Sequence, residues 1–162
     1  MKIVKPTKRM LGAYLVMRKA TLPTCDEKYI LPADPFAPPP HGFVPSEWRW
    51  AVDGDEVVGV LNVRRMLNRD LRRWGGHIGV AVSATRRGDG IGKALFVRGV
   101  RMVWRIAAEG GVLVTVDAGN AASLRMVASV ALAEGWPFMA MRVRVGDRLA
   151  WHFRIGRAED VR

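Results

Sequence analysis

The segment that most limits how this chain can fold is Arg87-Gly-Asp-Gly-Ile-Gly-Lys93, because the hydrophobic period changes across it. Before it, His77-Ile-Gly-Val-Ala-Val-Ser83 is a short apolar run bounded by glycine, the pattern of a buried strand. After it, Leu95, Gly99, Met102, Val103 and Ile106 fall on one stripe of a helix over 91–108. Lys93, Arg98, Arg101 and Arg105 lie largely off that stripe. Glu109-Gly-Gly111 supplies the stop. Val112-Leu-Val-Thr-Val116 is again strand-like, and a second helix is expected over 120–132. Strand, glycine loop, helix and strand in this order imply a right-handed crossover.

Hairpins flank this centre. Trp48, Trp50 and Val52 alternate up to Asp53-Gly-Asp-Glu56, and 57–63 continues apolar. Pairing Val52 with Val57 puts Trp48, Trp50, Val57, Gly59 and Leu61 on one face. Near the end, Met141, Val143 and Val145 alternate with Arg142 and Arg144; Leu149, Trp151, Phe153 and Ile155 alternate with His152 and Arg154. A two-residue turn at Gly146-Asp147 would put Arg148 on the face of Val145. A longer loop pairing Val145 with Leu149 keeps the apolar side chains together, and is the expectation. Residues 1–30 read as weakly helical, and the proline-rich connector 31–46 as a surface arm. The expected fold is α/β (α+β): a mixed, mostly antiparallel twisted sheet with helices on it, in one domain over 1–162.

A chain of 162 residues with 49% hydrophobic side chains can bury a substantial core. The lone Cys25 excludes an internal disulfide and fits a reducing, cytoplasmic setting. No run approaches the ~20 apolar residues that span a bilayer. Arg18-Lys19 follows the apolar stretch 11–17 where a cleaved signal would have small residues, so no membrane partner is expected. His41, His77 and His152 are too scattered to suggest a metal site. The net charge of +11 points to an anionic partner or substrate without naming it.

The glycine loop narrows the choice. Glycines let the backbone approach a ligand, and a new helix offers unpaired N–H groups and the positive end of its dipole. Together these suit a phosphate or pyrophosphate. A phosphate-binding Walker loop needs a different glycine spacing and a Ser or Thr after its lysine, where Ala94 stands. A dinucleotide fingerprint needs a wider last glycine interval.

In context, Arg87-x-x-Gly90-x-Gly92 between a strand and an amphipathic helix resembles the acyl-CoA loop of the GNAT acyltransferase superfamily. Asp117-Ala-Gly-Asn120-Ala-Ala-Ser123 resembles its coenzyme-contacting asparagine segment. Gly42-Phe-Val-Pro45, Val58-Gly59, Leu61-Asn-Val-Arg64, Leu67-Asn68 and Gly75-Gly-His-Ile-Gly79 are similar, in order, to a branch of predicted bacterial GNAT acetyltransferases. The resemblance covers roughly 42–130, with an aromatic final strand at Trp151-His-Phe153.

The resemblance implies transfer of an acetyl group from acetyl-CoA to an amine-bearing acceptor by direct attack. It implies an extended pantetheine arm beside Val80, Ala81 and Val82, where a backbone N–H polarises the thioester. It implies pyrophosphate on the amides of Gly88, Asp89, Gly90, Ile91, Gly92 and Lys93, with Arg87 and Lys93 supplying charge and Asn120 and Ser123 contacting the arm. His77 stands near the place of a general base in many relatives; the alternative is an anchor for the Gly75-Gly76 turn. Asp117 is a second candidate base. Val127 stands where relatives carry a tyrosine acid, so water or another residue would protonate the leaving thiolate. Asp89 sits where a cation is common, and is expected to cap the helix. The segment 130–136 departs from the branch's glycine-rich end.

Among the tryptophans, Trp48, Trp50 and Trp151 read as core, and Trp74 and Trp136 as candidates for a substrate wall. Arg64, Arg65, Arg69, Arg72 and Arg73 form either a solvated loop or a site for an anionic group on the acceptor. A homodimer is compatible with the sequence. Two functions stay open: an N-acetyltransferase, or a catalytically inactive relative that binds acyl-CoA or nucleic acid.

Overall fold

The computed structural model describes residues 1–22, 31–39, 42–106 and 111–157. In chain order the elements are β1 (Lys2–Val4), α1 (Leu11–Thr21), β2 (Ser46–Asp53), β3 (Glu56–Arg64), α2 (Arg69–Arg73) and β4 (Ile78–Val82). They continue with α3 (Ile91–Ile106), β5 (Val112–Asp117), α4 (Ala121–Ala133), β6 (Phe138–Val145) and β7 (Arg148–Ile155). One sheet has the order β1-β2-β3-β4 and the other β5-β7-β6, and every ladder is antiparallel. This is a mixed α+β fold. The sheet is divided, since no ladder joins β4 to β5. Among the described residues no helix is long and apolar enough to cross a membrane.

Helices pack on both faces. Leu95, Phe96, Val100 and Val103 of α3 share a core with Leu61, Ile78, Val114 and Val116 of both sheets and with Val127 and Val130 of α4. The close approach of α3 needs Gly99, where a Cβ would lie 2.9 Å from Leu61 Cδ1. On the other face of the first sheet, Tyr14 and Met17 of α1 pack with Trp50, Val60 and Ala81. Tyr14 stacks on Trp50 with ring centroids 4.9 Å apart. Its hydroxyl donates to Pro32 O and Arg18 Nε donates to Leu31 O, so the proline-rich arm is fastened to α1 with Leu31 buried.

Three expectations are corrected. The amino-terminal segment is not simply weakly helical: β1 pairs with β2 before α1 begins. In the first hairpin Val52 pairs with Val57, but a bulge follows, and Ala51 pairs with Gly59 while Trp50 faces Val60. The extra residue changes the alternation, so Trp50, Val57 and Val60 face α1, whereas Leu61 and the vacant side of Gly59 face α3. The consecutive Val57 and Val58 are both buried, in different clusters, because each face of the strand is covered.

The third correction concerns the last hairpin. Val145 pairs with Arg148 across a two-residue turn in which Gly146 has a φ of +60°. The left-handed conformation that glycine accepts matches the twist of a tight hairpin. Met139 and Met141 therefore stay 67% and 56% exposed on the edge strand β6. Arg148 joins the face of Ala150, His152 and Arg154, away from α3 and α4. The second helix falls where expected, with Asn120 as its cap. The expected last residues of the first helix, 107–108, and the Glu109-Gly110 part of its stop lie outside the described residues.

Candidate functional site

The two sheets touch at the start of β4. His77 N–H donates to Leu113 O at 2.8 Å, and Leu113 N–H donates to His77 Nδ1 at 2.9 Å. Gly76 makes this contact possible: its φ is +59°, and a Cβ there would stand 2.5 Å from Leu113 O. Arg64 Nη1 donates to Gly75 O and Gly76 O at 3.1 and 3.0 Å, and Gly75 N–H reaches Thr115 Oγ1 at 2.6 Å. Arg64 is thus a buried brace for the turn, whereas Arg69, Arg72 and Arg73 lie on α2.

Beyond this seam a cleft of about 980 Å³ opens, lined by β4, Thr115, Val116 and Asp117, the glycine loop and the start of α4. Its β4 wall is an unpaired strand edge. Arg64 N–H donates to His77 O and Ser83 N–H to Val58 O, which fixes the phase of the β3–β4 ladder. Antiparallel pairing then turns the backbone groups of Gly79 and Ala81 toward β3, and those of Val80 and Val82 away from it. At the far end Arg87, Gly88, Gly90, Ile91, Gly92 and Lys93 line the cleft. Gly88 and Gly90 have φ values of +96° and +78°, with open space where a Cβ would project. The unpaired N–H groups of α3's first turn belong to this end. Asn120 and Ser123 line it from α4; Asn120 Oδ1 accepts Ser123 N–H at 3.0 Å, capping that helix.

Asp89 does not cap α3. Its carboxylate accepts Arg86 Nε at 2.8 Å and it does not line the cleft. Arg86, whose Nη2 also donates to Asp53 Oδ2 at 2.9 Å, draws the acid outward toward the β2–β3 turn. This turns the acid's charge away from the cleft.

The two expected bases stand differently. His77 is 9% exposed and does not line the cleft. With Nδ1 accepting, its neutral ring carries the proton on Nε2. Burial lowers its pKa, and the positive charges of Arg72, Arg64 and Arg154 lower it further. Asp117 does line the cleft, but Oδ1 takes Gly119 N–H at 2.8 Å and Oδ2 takes Arg148 Nη2 at 2.6 Å. These donors hold its pKa below the usual carboxylate range. Val127 lines the cleft, and Tyr14 does not: burial pushes that phenol up to about 12.

Trp74 lines the cleft as expected. Trp136 does not; it is buried edge-on against Trp104, with centroids 5.0 Å apart. Thr115, Arg125 and Arg148 also line the cleft and carry no local motif that would have singled them out. Arg148 could have been found only by choosing the tighter hairpin turn, which gives it a place on the sheet face. Among the described residues no group of three or more His, Cys, Asp and Glu is placed to hold a metal ion.

A model of the acetyltransferase (GNAT) family matches residues 10–130. The chain belongs to the GNAT acetyltransferase family. Solved structures agree on the fold. A putative GNAT-family acetyltransferase from Bordetella pertussis superposes with a TM-score of 0.62 at 12% identity, covering 96% of this chain and 94% of that one. An N-acetyltransferase from Staphylococcus aureus gives 0.60 at 15% identity, covering 96% and 97%. A ribosomal-protein-alanine N-acetyltransferase from Brucella melitensis gives 0.57 at 18%, covering 96% and 100%. No curated protein matches the sequence. The cleft of this GNAT chain combines an extended strand edge at β4 with a glycine loop at the start of α3.

Proposed function

We propose that this GNAT protein transfers an acetyl group from acetyl-CoA to an amine by direct attack. The observation that carries the reading is the shared cleft of the β4 edge and the glycine loop. The amides of 88–93 hold the pyrophosphate, with Arg87 and Lys93 adding charge. Val80 and Val82 pair with the pantetheine arm as a strand would, beside Ala81, and one of their N–H groups stabilises the oxyanion formed on attack. Asn120 fixes the arm through its amide Nδ2, its Oδ1 being engaged by Ser123 N–H.

The neutral amine attacks the thioester carbonyl carbon; the tetrahedral oxyanion collapses to the amide and expels the coenzyme thiolate. Removing the amine's proton falls to water in the cleft. His77 is a positioning residue at the seam, and Asp117 is too acidic to be an effective base at neutral pH. Water also protonates the thiolate, since Val127 offers no proton. Free thiol released from acetyl-CoA with a panel of amines tests the reading. Thiol release with no amine in the panel, together with no stabilisation by acetyl-CoA, sinks it.

A second reading, binding of acyl-CoA or nucleic acid without catalysis, is favoured by the neutralised Asp117 and the off-cleft His77. It requires stabilisation by acetyl-CoA or short RNA without any thiol release.

A further inference from the structure

Arg148 reaches into the cleft from the β6–β7 hairpin and is held from two sides. Its guanidinium carbon lies 4.3 Å from the centroid of the Trp74 ring, and Nη2 donates to Asp117 at 2.6 Å. Its side chain is still 53% exposed, and its remaining N–H donors have no acceptor among the described residues. A long, flexible side chain is thus fixed in one place with part of its fork unused. That is the preparation an arginine needs for bidentate binding of an oxyanion, because the entropy of ordering it is already lost.

Position and charge say which ligand this serves. Val114 and Val116 turn into the core with α3 and α4, so the alternating Thr115 and Asp117 face the other way. Arg148 and Trp74 meet Asp117 on that opposite side, while the glycine loop supplies the start of α3. The surroundings are basic. Arg72 and Arg73 lie on α2, whose Arg73 O contacts His152 Nε2 at 3.0 Å, and Arg154 shares the strand face of Arg148. Asp117 is the acid lining the cleft, and Arg148 and Gly119 N–H already engage it. A second cation on the acceptor would meet repulsion here, whereas an anion would meet free donors.

Resting on the acetyltransferase reading, we propose that Arg148, set by Trp74 and Asp117, selects an amine acceptor that also carries a carboxylate or phosphate. The anion docks on the guanidinium while the amine points along the cleft toward the β4 edge.

Matched acceptors test this: glycine with glycinamide, phenylalanine with its amide, and O-phosphoethanolamine with ethanolamine, with 1,4-diaminobutane as a dication. Thiol release from acetyl-CoA is expected to be about 10- to 100-fold more efficient with an anionic member than with its neutral partner. The gain should appear mainly in KM. Arg148→Met should bring that ratio close to one, and Arg148→Lys should keep part of it. Response to carboxylates alone or to phosphate alone identifies the source of the oxyanion. Preference for the neutral or dicationic acceptors overturns the proposal, as does an undiminished ratio in Arg148→Met. If that variant fails to fold, Trp74→Leu should reduce the same ratio by freeing the guanidinium. Ligand-induced melting shifts separate the two readings. Anionic probes that stabilise the protein through Arg148 without turnover uphold the anion site and sink the transferase. Turnover without anion preference does the reverse, and no shift with no turnover sinks both.

Discussion

His77 shows how much a single side chain does at the seam between the sheets. Its ring nitrogen satisfies Leu113 N–H, and its own N–H satisfies Leu113 O. His77→Ala leaves a buried donor unpaired, a cost of about 1–3 kcal/mol that denaturant melts would read. The ring also sets a pH dependence. Folding depresses its pKa, so the unfolded chain binds the proton more readily and stability rises with pH through that range. Acidification below about pH 6.5, the ordinary histidine value, should therefore destabilise the wild type. Stability curves of His77→Gln should lack that component. Gly76 is stricter still, because any side chain there would need a φ of +59° and would place its Cβ 2.5 Å from Leu113 O. Gly76→Ala must separate the sheets or break the turn, and thermal melts should show a loss of at least about 2 kcal/mol.

Among the elements, α3 and α4 bring their amino-terminal ends to one cleft, and their starts differ. Asn120 caps α4, so Asn120→Ala should cost about 1 kcal/mol of stability. The same variant should also weaken acetyl-CoA binding in titration calorimetry, which a purely structural cap would not do. α3 has no acidic residue in its first turn, and Asp89 is drawn aside by Arg86, so no carboxylate caps that end. Reading these elements from sequence succeeded where the period was long and regular, as in 91–106. It failed where one residue decides the alternation. The bulge at Val58 and the tight turn at Gly146 each shift a strand by a single position. A one-residue change reverses which face a side chain takes; Gly146-Asp147 offers the tight turn, but keeping the apolar side chains on one face argues for the longer loop.

For the molecule as a whole, the excess of basic residues divides by place. Arg64 braces a turn, Arg86 gathers carboxylates, and Arg87 and Lys93 line the cleft. Acetyl-CoA at about one hundred times its Kd should stabilise the fold by about 2.7 kcal/mol, seen as a raised Tm. That gain should shrink as salt is added, because the proposed phosphate contacts of Arg87 and Lys93 come from exposed charges. An unchanged Tm would argue against a coenzyme site. The sequence by itself determined the strand–loop–helix centre, the glycine loop at 87–93 that lines the cleft and the glycine pair before His77. Each of these is a local demand on backbone conformation or hydrophobic period, legible in neighbouring residues. Only the tertiary structure decided that β4 and β5 part to open a cleft, that His77 lies behind its wall, and that Arg148 stands on Trp74 beside Asp117. Those positions depend on contacts between residues distant in the chain, set by how two sheets meet, and no stretch of sequence contains them.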